Sequence, residues 1–318
     1  MLVDMPVSEL LTYKGRNPRP ADHDAYWGRA LGELDAQDLR PELVPAGFSC
    51  PYADCFDLWF TGVGGARVHS KYLRPKAAAG KTPAVLKFHG YSGSAGDWFQ
   101  LLPYAAAGMA IAAMDARGQG GLSEDPGGVT GNTLNGHIIR GLGGNPDKLL
   151  FRNIFLDTAA LARVLAGFDE VDADRMGAFG GSQGGALTVA CAALYPNLKK
   201  AAPSVPFLCD YKRVWEMDLS KGAYQELQNY FRYFDPRHER EDEIFGTLGY
   251  IDLQFLSRRI KAEVLMFTGL MDTVCPPSSQ FAMYNNITAK KSVRFYPDFG
   301  HEGLPEADDL VFNFLTSL

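Results

Sequence analysis

The sequence has no cluster of basic residues. Lys and Arg number 31 against 37 Asp and Glu, a formal net charge of -6. Nothing in that balance attracts a nucleic acid or an anionic membrane, so neither is expected as a partner. No apolar run is long enough to span a bilayer. Acids interrupt the apolar stretch from Met1 to Leu11 and no basic start precedes it, so a cytoplasmic protein is expected. Cysteine is sparse: Cys50, Cys55, Cys191, Cys209 and Cys275 form no CxxC pair. They read as free thiols in a reducing compartment, several of them in the core. His301-Glu302 opens no HExxH, and His23, His69, His137 and His238 show no ligand spacing, so no metal is expected. Gly118-Gln119-Gly120 follows a strand, but Ser123 occupies the third glycine position and no helix opens there. A dinucleotide cofactor is therefore not expected either.

What remains is an ordinary globular composition, 46% hydrophobic over 318 residues, within reach of one decorated α/β domain. Residues 1–45 read as an N-terminal arm with one helical pattern from Asp22 to Leu34. Runs from Phe56 to Val63 and Ala66 to Leu73, separated by Gly64-Gly65, predict a hairpin. Pro83 to Phe88 and Met109 to Met114 predict buried strands. A Gly- and Asn-rich stretch from Gly121 to Asp147 follows, long enough to be a functional loop or lid. Phe151 to Phe168 is an amphipathic helix, and Ala202 to Val205 a weak strand. About 210–259 reads as an aromatic-rich helical insertion covering a strand edge. Ala262 to Thr268 and Ser292 to Tyr296 are the last strands, and a helix closes the chain. Strands alternating with helices predict a mostly parallel central sheet covered on both faces. Functional groups in such a sheet gather beyond the carboxyl ends of its strands.

The centre of the pattern is Gly180-Gly181-Ser182-Gln183-Gly184-Gly185, between a β-like run (Arg175 to Phe179) and a helical one (Ala186 to Tyr195). That matches a G-x-S-x-G nucleophile elbow, in which glycines let a strained serine turn sit against its neighbours. The partners should follow in the order acid, then His. Asp272 lies just beyond the strand ending at Thr268, and His301 just beyond the strand ending at Tyr296. His301 would take the Ser182 proton, and Asp272 would orient the imidazole. Taken singly, Asp272 also suits a cap or Asx-turn, and Asp298 is a rival acid on the His301 turn. The oxyanion hole is expected from the backbone N–H groups of Gln183 and of Tyr91, in the loop His89-Gly90-Tyr91-Ser92-Gly93.

The set His89-Gly90-Tyr91, Arg117-Gly118-Gln119, the Ser182 elbow, Val205-Pro206-Phe207-Leu208-Cys209, Gly269-Leu270-Met271-Asp272 with Cys275-Pro276-Pro277-Ser278, and His301-Glu302 resembles the acetyl xylan esterase/cephalosporin C deacetylase family, carbohydrate esterase family 7. The likeness runs from about Phe56 to the C-terminus. It implies an α/β-hydrolase fold, a Ser182–Asp272–His301 triad, a Tyr91/Gln183 oxyanion hole, and removal of acetyl groups from sugars or other small esters without a cofactor. It also implies a hexamer with its active sites facing an interior cavity. The Arg117 guanidinium is expected to tie loops near the site through bidentate hydrogen bonds. The Gly121 to Asp147 stretch departs from the aromatic- and proline-rich segment associated with the family, so a different acyl or alcohol pocket is expected. Alternatives remain: a thioesterase or peptidase would use the same triad, and a non-catalytic binding module could keep the same fold.

Overall fold

In the computed structural model, which describes residues 3–126 and 134–318, apolar runs bounded by Gly and Pro become strands. They are β1 (Glu42–Pro45), β2 (Ala53–Thr61), β3 (Arg67–Pro75), β4 (Thr82–Phe88), β5 (Ala110–Met114), β6 (Val171–Gly181), β7 (Lys200–Ser204), β8 (Glu263–Gly269) and β9 (Lys291–Tyr296). The helices are α1 (Val7–Leu10), α2 (His23–Ala36), α3 (Leu102–Ala106), α4 (Leu150–Ala166), α5 (Gln183–Leu194), α6 (Tyr211–Glu216), α7 (Gln225–Phe234), α8 (Glu241–Leu248), α9 (Leu253–Leu256), α10 (Pro277–Tyr284) and α11 (Ala307–Thr316).

The strands form one sheet in the order β1-β2-β3-β5-β4-β6-β7-β8-β9. The β1–β2, β2–β3 and β3–β5 pairs are antiparallel, and every pair from β5 through β4 to β9 is parallel. The expected hairpin is β2–β3, turning through Val63–Gly65 with Gly64 and Gly65 at φ 71° and 80°. Only glycine enters that region without strain. This is the α/β-hydrolase arrangement anticipated above, with a mostly parallel sheet and helices on both faces.

Strand alternation sorts the side chains into two cores. Ala84, Leu86 and Phe88 of β4 join the larger core, with α4, α5 and α10. Val85 of the same strand joins the smaller one, beneath α3 and α11. Both α4 and α5 are buried along nearly their whole length, as helices on a parallel sheet must be.

Two expectations need correction. Residues 42–45, read as the end of the arm, form the edge strand β1, antiparallel to β2. The helices between 210 and 259 cover no strand edge: the sheet ends in β1 and β9, whereas these helices join β7 to its parallel neighbour β8. They are an enlarged crossover, and aromatic composition alone cannot distinguish that from an edge cover. The short α3 was not anticipated, because five residues carry too little periodicity to read.

Candidate active site

Ser182 is the single residue between β6 and α5, at φ 56° and ψ -118°. A positive φ costs a serine on the order of 1–3 kcal/mol, and the surroundings must hold it there. The Ser182 N–H donates to the Ser204 carbonyl at 2.9 Å, and the Phe207 N–H donates to the Ser182 carbonyl at 3.1 Å. The flanking glycines are required by contact. A Cβ on Gly184 would lie 2.1 Å from the Phe88 carbonyl oxygen, and one on Gly180 would lie 2.5 Å from it. The elbow is thereby pressed onto the end of β4, next to the loop that carries Tyr91.

The structure brings the three expected side chains together. His301 Nε2 lies 2.9 Å from Ser182 Oγ, and His301 Nδ1 lies 2.8 Å from Asp272 Oδ2. Asp272 is fully buried, while the His301 side chain keeps 21% of its surface exposed. The second Asp272 oxygen accepts from the N–H groups of Val274 and Cys275, each at 2.8 Å. One Asp272 oxygen thus makes the Asx-turn, and the other faces the imidazole as the triad reading expects. Asp298 points into solvent-exposed surroundings. Among the described residues, Asp272, Cys275 and His301 form a cluster close enough to hold a metal ion. Both His301 nitrogens are already engaged, and burial holds the Cys275 thiol pKa well above its ordinary value. The cluster suits a proton relay better than a ligand set.

Tyr91 and Gln183 also converge on the elbow. Among the described residues, neither backbone N–H has a protein acceptor. A reciprocal amide pair aligns the two segments: Gln119 and Gln183 exchange side-chain hydrogen bonds, each 2.9 Å long. Gln119 Oε1 also accepts from the Ser92 N–H at 2.9 Å. One buried glutamine thus clasps both segments. The neighbouring His89 fixes the same loop, accepting the Ala116 N–H on Nε2 at 2.9 Å and donating from Nδ1 to Gly90 at 2.7 Å. Burial lowers the His89 pKa and keeps the ring neutral.

Residues 127–133 of the expected lid lie outside the described residues. Its later part reaches the site. The His137 ring stands edge-on to Tyr91 at 4.9 Å, and the His137 backbone N–H donates to the Tyr91 hydroxyl at 3.3 Å. Glu226 of α7 holds this part by accepting the N–H groups of Gly136 and Ile138, each at 2.8 Å.

Arg117 behaves as its charge and geometry suggest. Its Nε and Nη2 each lie 2.6 Å from a different oxygen of Asp157 on α4, and Nη1 donates to Val63 at 3.2 Å. His69, which shows no ligand spacing in the sequence, is buried between two carboxylates. Its Nδ1 lies 2.7 Å from Asp115 and its Nε2 3.0 Å from Asp57. Burial alone would lower its pKa, but the two carboxylates outweigh that and raise it. Asp115 also accepts the Ala95 and Leu122 N–H groups at 2.6 and 2.9 Å, which ties β3 to the loops around Tyr91 and Gln119. Gln119, Asp157, Asp115 and Glu226 were not legible as partners, because each acts across 40 or more residues with no local pattern.

The acetyl xylan esterase (AXE1) family model matches residues 1–318. The chain belongs to the acetyl xylan esterase family. Acetyl xylan esterase 1 from Thermoanaerobacterium sp. JW/SL YS485 superposes with a TM-score of 0.96 at 57% identity, covering 99% of each chain. The acetyl xylan esterase from Paenibacillus sp. R4 superposes with a TM-score of 0.92 at 35% identity, covering 98% of this chain and 99% of that one. The acetyl esterase Axe7A of Xylanibacter ruminicola is 27% identical over a 301-residue alignment that covers 91% of this chain. The chain spans 64% of that relative's length. In this acetyl xylan esterase family member a cavity of about 400 Å³ opens onto Ser182 and His301, walled by Phe88, Val205 and Leu304. Among the described residues, no helix is long and apolar enough to cross a membrane.

Proposed function

We propose that the chain is a serine esterase that removes acetyl groups from small acetylated sugars and related small esters, including acetyl esters of the cephalosporin C kind. The observation that carries this reading is the unbroken relay from Asp272 through His301 to Ser182, at 2.8 and 2.9 Å. With Nδ1–H donating to Asp272, the His301 Nε2 lone pair faces the Ser182 hydroxyl and accepts its proton. Ser182 Oγ then bonds to the acetyl carbon. The oxyanion receives the N–H groups of Tyr91 and Gln183, which Gln119 holds in place and which need no reorganisation during reaction. His301 returns its proton to the departing alkoxide, leaving an acetyl-serine. Water, deprotonated by His301, attacks that ester, the acetyl–Oγ bond breaks to release acetate, and His301 returns the proton to Ser182 Oγ.

The reading extends to assembly and location. A hexamer with its sites facing an interior cavity follows from the family resemblance, and sedimentation velocity reads it directly. The cysteines are all free and buried, which suits a reducing compartment such as the cytoplasm.

Hydrolysis of 4-nitrophenyl acetate, butyrate and octanoate tests the chemistry, with Ser182→Ala as control. Preference for acetate and a loss on the order of 10⁴–10⁶ in the variant are expected. Rates rising with chain length would overturn the acetyl assignment. Activity surviving in Ser182→Ala would overturn the nucleophile.

A further inference from the structure

The cavity at Ser182 does not end there. A second cavity of about 510 Å³ adjoins it, and the two share Lys87, Phe179, Asp308 and Val311. Together they form a groove between α3 and α11. Its floor is the sheet itself, where Lys87 of β4 lies in register with Phe179 of β6. One wall is α3, which continues directly from a 3-10 turn at Trp98–Leu101.

Lysine is out of place on this floor. Val85, two residues earlier on β4, joins the core beneath α3 and α11, so Lys87 faces the same side. Central parallel strands are apolar on both faces, and a broken local rule in such a strand marks a position kept for function. Burial lowers the Lys87 pKa, opposed by Asp308 and Asp97 and reinforced by Lys71. Yet the ammonium forms no ion pair among the described residues. It donates to the neutral Gln100 Oε1 at 2.9 Å, which leaves further N–H donors directed at the groove.

We propose that this groove is a subsite for a second sugar unit, attached to the acetylated one that is bound at Ser182. The assignment rests on the sugar-acetate reading above. Phe179 and Tyr104, with ring centroids 5.2 Å apart, supply apolar surface. Lys87 supplies donors, Asp308 an acceptor, and Gln100 one of each. A pyranose presents the matching mixture of C–H faces and hydroxyl groups. A long acyl chain does not match, because it would strip water from Lys87 and give nothing back.

The test compares kcat/KM for xylobiose carrying one acetyl group on a single sugar unit and for singly acetylated xylose, so that the second unit keeps its hydroxyls. The wild type should favour the disaccharide by about tenfold, the worth of one or two hydrogen bonds. Lys87→Met should bring that ratio to about twofold or less, through a higher KM for the disaccharide rather than a lower kcat. Asp308→Asn, on the exposed first turn of α11, provides a second reading without disturbing the core, and should reduce the ratio by a smaller factor. A wild-type ratio near one, or a ratio unchanged in both variants, overturns the subsite. Absence of Ser182-dependent release from 4-nitrophenyl acetate would instead overturn the esterase reading, and the subsite with it.

Discussion

At Asp272 the two carboxylate oxygens serve different masters, one the backbone of Val274 and Cys275 and the other His301. An asparagine can keep the first contact and cannot keep the second. Its amide N–H would face Nδ1, which moves the ring proton to Nε2 and removes the acceptor for the Ser182 hydroxyl. Asp272→Asn should therefore lower kcat by about 10⁴. Because the turn is retained, the midpoint of urea unfolding should change little. A large loss of stability with only a modest loss of rate would reverse the assignment and make Asp272 chiefly a cap. The sequence carried the order of Ser182, Asp272 and His301 plainly, since each follows a recognisable strand. It could not carry the Gln119–Gln183 amide pair: two glutamines 64 positions apart have no mutual signature until the strands place them together.

The enlarged crossover from β7 to β8 is anchored at both ends by acids. Asp210, just before α6, accepts the Tyr13 hydroxyl at 2.8 Å and the Arg16 and Asn17 N–H groups at 3.0 and 2.8 Å. Asp252 caps α9 and accepts the Asp210 N–H at 3.0 Å. Fully buried beside another carboxylate, Asp252 has its pKa pushed up to about 7, with desolvation the larger cause and Asp210 the second. The folded state therefore holds a proton that the unfolded chain has already released. Between the ordinary value near 3.9 and the folded value, stability falls as pH rises, at most by about 1.4 kcal/mol per unit, and then levels off. Asp252→Asn removes the Asp252 share of that slope and leaves the share of Asp210, whose pKa burial also raises. Chemical denaturation at pH 5 and pH 8 should find the variant gaining on the wild type at the higher pH, and parallel behaviour at the two pH values would refute it. At this scale most elements were legible from period and punctuation. The location of the crossover was not, because helical pattern says nothing about which strands a helix joins.

Across the whole molecule the two faces of the sheet are unequally clad. The larger core lies under α4 and α5, helices of 17 and 12 residues. The other face relies on α3 and α11, of five and ten residues. Leu315 of α11 is fully buried in that thinner core, and its Cδ2 occupies space where a Cβ on Gly177 would lie, only 2.7 Å away. Leu315→Ala should cost about 2–5 kcal/mol in urea unfolding. A cost under about 1 kcal/mol would mean that α11 contributes little to holding the sheet. The alternation of strands and helices made the doubly covered sheet readable from the sequence. The inequality was not, because the length of α3 depends on where a short, weakly periodic segment stops. The arm carries a consequence of another kind. Asp4 accepts from Arg213 and from the Ser278 N–H, Tyr13 reaches Asp210, Trp27 reaches Tyr250, and Asn285 reaches Leu10 and Tyr13. Each of these partners is made after residue 209. A ribosome adding roughly 5–20 residues per second completes them some tens of seconds after the arm emerges. These bonds of the arm thus close only once the far half of the chain has been made, although its helix can already meet Pro146 and Arg152.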